Sequence, residues 1–144
     1  MLQKLHTKRG GFTLVEIMIV VAIIALLAAI AVPNFLRSRK RSQATVTLEL
    51  LRELDAAKDL YAIENNKVGS SSGAGVVPSN ADLLPYAKPG TALAIQLAAN
   101  YVNDVLGNPI ATNAIDSQVQ ITNASYNALS DVAPMSFWSP YGTY

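Results

Sequence analysis

The sequence predicts an α+β fold, a long N-terminal helix joined to a small antiparallel β-sheet head, and three observations carry that expectation. Residues 17–32 are an unbroken run of sixteen apolar side chains. From Phe35 to Glu64 there is neither glycine nor proline, and the later part of that stretch turns amphipathic. Beyond Pro78 the chain breaks into short segments separated by Gly, Pro and Asn, which is the pattern of small strands and turns.

Four segments follow in order. Residues 1–11 form a short polar leader carrying Lys4, Lys8 and Arg9. Residues 12–36 hold a single charge, Glu16, and at about 1.5 Å rise per residue make a helix roughly 37 Å long, enough to cross a hydrocarbon core of about 30 Å. A core helix of a soluble domain would show a polar stripe, and this one shows none. A carboxylate inside such a helix costs about 2.5 to 3.5 kcal/mol on insertion scales, so Glu16 calls for a role beyond snorkelling to the interface. Pro33 removes a backbone hydrogen bond and crowds the preceding turn, so the helix is expected to kink or melt around residues 32–34.

Residues 37–65 continue the same helix with a different surface. Val46, Leu50, Leu54, Ala57 and Tyr61 recur at three- and four-residue steps, while Glu49, Arg52, Glu53, Asp55, Lys58 and Asp59 occupy most other positions. One helix of roughly 80 Å from Phe12 to Asn65 is the expectation. Asn65-Asn66 should end it, and the stretch from Gly69 to Gly75 reads as a linker.

Residues 66–144 make the head. A helical turn is expected at residues 81–84, capped by Ser79 or Asn80, with strands near 92–97, 101–105, 109–112 and 118–122 and another helical turn at 125–129. The end is aromatic, with Phe137, Trp138, Tyr141 and Tyr144 as core or subunit contacts. A segment this small, without disulfides, gains little from its own core, so burial of the helix stripe under the sheet is its expected source of stability.

Composition excludes most chemistry. The 144 residues include no cysteine and one histidine, His6 in the leader, so thiol nucleophiles, cysteine metal sites and catalytic triads all drop out. No phosphate loop or nucleophile elbow is present, and Asn123-Ala124-Ser125 matches a glycosylation sequon too short to decide anything. The chain is therefore not expected to be an enzyme. Its net charge of +1 hides an asymmetry: from Ser42 onward four basic residues face nine acidic ones. That head repels nucleic acid, so the subunit alone is not expected to bind DNA.

The string Gly10-Gly11-Phe12-Thr13-Leu14-Val15-Glu16, followed by the apolar helix and Pro33, resembles the leader of the type IV pilin family, which includes the pseudopilins of type II secretion. The resemblance implies cleavage by a prepilin peptidase between Gly11 and Phe12, N-methylation of the new Phe12 amine, and pairing of Glu16 with a neighbouring subunit's Phe12 amine during assembly. It implies insertion in the inner (cytoplasmic) membrane and then a periplasmic or extracellular filament. The implied partners are copies of the chain, related minor pilins and an inner-membrane assembly platform. Physical chemistry supports the pairing: an unpaired charge in apolar surroundings is expensive, and a stagger that brings amine and carboxylate together removes both penalties.

Three points admit an alternative. Ala29-Ile30-Ala31 fits an ordinary signal-peptidase site, and a cut after Ala31 would release a secreted or envelope binding module instead. Three basic residues before the helix and four after it (Arg37, Arg39, Lys40, Arg41) leave orientation undecided by charge, and the leader motif decides it. Pseudopilins resembling this chain often bind calcium near the C-terminus, which makes Asp104, Asp116 and Asp131, with Asn103 and Asn108, the calcium candidates. Without a compact carboxylate cluster, ordinary turn chemistry is preferred and no cofactor is expected. The turn Asp104-Val105-Leu106-Gly107-Asn108-Pro109 is similar to one in the pseudopilin head, and the lack of cysteine departs from the disulfide common in major pilins.

Overall fold

The structure, a computed structural model, describes residues 10–67 and 75–142. The leader positions Lys4, His6, Lys8 and Arg9, most of the 69–75 linker, and Tyr144 lie outside the described residues. The chain divides into two compact units, residues 1–37 and 38–144.

Helix α1, Leu14–Glu64, runs without interruption through both sequence halves. It starts where Thr13 accepts a hydrogen bond from the Glu16 amide through its side chain (3.2 Å) and from the Ile17 amide through its carbonyl (3.3 Å). It ends at Asn66, whose φ of 55° is the left-handed conformation of a helix terminus. There the Lys67 amide donates to the Ala62 carbonyl (2.8 Å) and the Asn66 amide to the Ile63 carbonyl (3.3 Å), a pair of bonds that satisfies the last orphan carbonyls. The helical assignment continues through Pro33, so the melted form of residues 32–34 is not what this single chain adopts.

In the second unit, α1 buries one side under short elements. These are α2 (Asn80–Leu83) with a 3₁₀ turn at Leu84–Tyr86, α3 (Ala92–Ala98), α4 (Asn123–Leu129) and a 3₁₀ turn at Met135–Trp138. Ser79 caps α2 reciprocally with Asp82: the Asp82 amide donates to the Ser79 hydroxyl (3.3 Å) and the Ser79 amide to the Asp82 carboxylate (2.9 Å). The Ser79 hydroxyl also donates to the Asp82 carboxylate (2.6 Å), and this bond, with that from the Ser79 amide, holds the Asp82 carboxyl below its ordinary range. Leu48, Leu51, Leu54, Leu83, Leu93, Leu97, Ile121, Leu129 and Trp138 form the core. The Trp138 indole N–H donates to the Ala133 carbonyl at 3.1 Å, and Phe137 stacks edge-on against it.

The expected antiparallel sheet is the main correction. Among the described residues there is no strand, only two isolated antiparallel bridges, Asn103 with Pro109 and Ala111 with Gln120. Segments of four or five residues interrupted by Gly107, Pro109 and Asn113 pair at single points, and Pro109 has no amide to extend a ladder. The segment expected as a strand at 92–97 is helix α3. Its sequence Ala-Leu-Ala-Ile-Gln-Leu-Ala favours helix, Thr91 caps it by accepting from the Ala94 amide (3.3 Å), and Leu93 and Leu97 bury together one turn apart. Left-handed Asn100 closes α3 with the same pair of terminal bonds seen after α1.

The buried side of α1 also differs from the expected stripe. Leu50, Leu54 and Ala57 are buried and Tyr61 is partly so, but Val46 is 52% exposed. Ala44, Thr47, Leu48, Leu51, Lys58 and Ala62 complete the face instead. Lys58, expected on the solvent side, is 1% exposed. Its ammonium donates to the Ser117 carbonyl at 2.5 Å and lies 3.7 Å from Asp55.

Candidate functional site

The site is the amino-terminal end of α1. Gly11 and Phe12 precede the first helical turn in non-helical backbone, and Phe12 is 78% exposed. A Cβ built on Gly10 or Gly11 would meet nothing within 4 Å, and neither glycine has a left-handed φ. Nothing in the fold of this chain therefore demands glycine at either position. Thr13 and Glu16 together form the Thr-x-x-Glu pattern of a helix start, a signal present in the sequence that the apolar-run reading passed over. It fixes the point where extended backbone gives way to helix, one residue after Phe12. Glu16 sits in the first turn of α1. An acid there is favoured by the positive end of the helix dipole.

From this end the helix is an exposed apolar surface. Every residue from 10 to 39 is exposed, and an 18-residue window has a mean hydropathy of 3.0 with none of it buried. By length and composition α1 is able to cross a membrane. Ala29, Ile30 and Ala31 lie within its unbroken helical stretch, whereas Gly11 and Phe12 lie before it. Ordered helix at the first site and non-helical backbone at the second make the earlier bond the more accessible one.

The calcium candidates do not come together. Asp104 is buried, and its carboxylate already accepts from the Leu106 amide (2.9 Å), the Asn108 amide (2.8 Å) and the Ser125 hydroxyl. Asn108 also donates to Ser125 (3.1 Å), and Gly107, at φ 86°, makes the left-handed turn that aims these amides inward. Asp131 accepts from Lys40 at 3.0 Å, and Asp116 is exposed. Among the described residues there is no group of three or more acidic or histidine side chains that would hold a metal. The donors present do not fit a hard cation's requirement for six to eight oxygen ligands. The sequon serine, Ser125, is spent on the same turn.

Comparison with known proteins places this end of the chain in a recognisable class. Residues 6–32 match the family model described as the prokaryotic N-terminal methylation motif. The chain is 45% identical over 64 residues to the type IV wide pilus major component PilA4 of Thermus thermophilus, covering 44% of this chain and 49% of that protein. It is 41% identical over 73 residues to the type IV major pilin protein PilA of Myxococcus xanthus, covering 46% and 33%. It is 33% identical over 64 residues to the type II secretion system core protein G of Pectobacterium carotovorum, covering 44% and 41%. The chain thus spans between a third and a half of the length of these curated relatives. No solved structure matches it.

Proposed function

We propose that this chain is a structural subunit of a pilus-like or pseudopilus filament: its amino-terminal part matches the prokaryotic N-terminal methylation motif and is similar to type IV pilins and to a type II secretion system core protein G. A prepilin peptidase cleaves between Gly11 and Phe12 and the Phe12 amine is methylated. The subunit waits in the cytoplasmic membrane with its head outside, and an assembly platform extracts it into a filament whose core is made of α1 segments.

One observation carries this reading: an apolar helix without a single buried residue from 14 to 39 begins two residues after a non-helical Phe12 and holds Glu16 in its first turn. A surface of that size and character is incompatible with water and must be covered by lipid or by similar helices. Since the fold places no steric demand on Gly11, the requirement for glycine lies with the enzyme that cuts beside it. A neighbouring subunit supplies its Phe12 ammonium to Glu16, neutralising both charges within the apolar core. At Pro33 one hydrogen bond is already missing, so packing in the filament has least to break there.

The test is the amino terminus of the mature protein. Mass spectrometry of material from cells with an active prepilin peptidase should find Phe12 first, one methyl group heavier than the unmodified chain. A first residue at Val32 overturns the reading in favour of a released binding module.

A further inference from the structure

On the second unit, α1 and α3 leave a groove of about 170 Å³ walled by Val46, Leu50, Ala92 and Val105 and rimmed by Glu49 and Glu53. Glu53 also borders a second depression of about 240 Å³ farther along the helix. The two rim acids are not equivalent. Glu49 lies 3.5 Å from Arg52, one turn on, whereas Glu53 has no ion-pair partner among the described residues. The basic cluster at the start of this unit is equally uneven: Lys40 is held by Asp131, whereas Arg39 and Arg41 are exposed and have no ion-pair partner among the described residues.

We propose that the groove beside Glu53 seats the Arg41 side chain of a second copy of this chain, a contact that rests on the filament reading and sets the stagger between neighbours. Arginine suits both parts of the site. Its methylene stem lies along apolar walls while its guanidinium meets a carboxylate at the rim, with the charge left near solvent. The contact cannot form within one molecule, because twelve helical residues separate Arg41 from Glu53 by about 18 Å along α1 and about 120° around it. That same separation gives the contact its consequence. Donor and acceptor lie on different flanks of the helix, so a copy that fills one groove still offers its own. The contact is heterologous and propagates as an open helical array instead of closing as a two-fold dimer. Parallel neighbours joined in this way are offset by about 18 Å, and are a different pair from those joined through Phe12 and Glu16, whose four-residue separation sets an offset of about 6 Å.

The native absence of cysteine makes the test unambiguous. Filaments of the full chain carrying Arg41→Cys and Glu53→Cys should give, with a bis-maleimide about as long as the arginine and glutamate side chains it replaces, a ladder of dimers, trimers and longer species. Each single variant should stay monomeric, since like positions on copies offset by about 18 Å lie beyond the reach of that linker. Filaments of the double variant without a ladder overturn the proposal, as do dimers of Glu53→Cys alone, which would mean that groove meets groove. A charge swap tests the same contact independently. Glu53→Arg should lower filament yield by about tenfold, and adding Arg41→Glu should restore it to within about twofold; failure of that rescue overturns the proposal. A wild-type chain that never assembles refutes the filament reading itself, whereas wild-type filaments without the ladder or the rescue refute only this contact.

Discussion

The two ends of α1 share one backbone and follow opposite rules. Residues 14–39 expose every side chain and are apolar nearly throughout. Residues 44–62 carry more charge, yet bury nine side chains under the short elements of the second unit. Among the described residues the first surface lacks what the second has, a partner to pack against. Hydrophobicity alone therefore does not say which part of a helix is a core. A fold buries what its own chain can cover, and the remainder must be covered by lipid or by another copy.

The sharpest way to break that contrast is Glu16→Val. Removing the one charge of residues 12–36 makes that stretch more apolar and better suited to lipid, so a subunit that merely sits in a membrane should be unaffected. A subunit that must pair Glu16 with a neighbour's amine should still be cut to begin at Phe12, while filament yield drops by tenfold or more. Unchanged yield would remove the pairing role.

Core truncations give the next largest effect and should fall on one region only. Trp138→Ala should cost the second unit about 3 to 5 kcal/mol, by loss of a fully buried indole and of its bond to the Ala133 carbonyl. Leu27→Ala, at a site exposed in the single chain, should leave the same unfolding transition within about 0.5 kcal/mol. Chemical denaturation of the full chain in mild detergent reads both. Equal losses would mean that the two regions unfold together.

The smallest effect concerns the one charge that the packed face accepts. Burial pushes the Lys58 ammonium below its ordinary value, against the raising influence of Asp55, Asp59 and Asp116, and the Ser117 carbonyl accepts its proton. The folded chain then gives up this proton at a lower pH than the unfolded chain does. The stability linked to Lys58 is therefore lowest while both states are protonated, rises as pH climbs from the folded value towards 10.5, and is level above that. Tyr141, pushed upward by burial, acts in the opposite sense above its ordinary pKa of 10.0, so the Lys58 rise is best measured below it. Denaturation midpoints of the wild type should increase from about pH 8 towards about pH 10, and Lys58→Met should flatten that slope. A slope that survives the substitution belongs to another group.

The sequence by itself determined whatever depends on local pattern. The sixteen-residue apolar run, the interval free of glycine and proline, the glycines before Phe12 and the acid at Glu16 were sufficient for a long helix with an exposed greasy end. Asn66 was readable as its stop because helix termination is a matter of a few consecutive dihedrals. Tertiary structure decided everything that required knowing what lies opposite. Whether residues 92–97 formed a strand or a helix turned on Leu93 and Leu97 burying one turn apart beside α2. The turn that Asp104 holds takes one of its bonds from Ser125, twenty-one residues away. Lys58 faced inward because the Ser117 carbonyl stands opposite to accept from its ammonium, and Val46 stayed half-exposed because it lines an open groove between α1 and α3. Helix propensity and capping act between near neighbours and are written in the order of residues, whereas burial is a property of the surface that arrives from elsewhere in the chain, which sequence order does not encode in any local window.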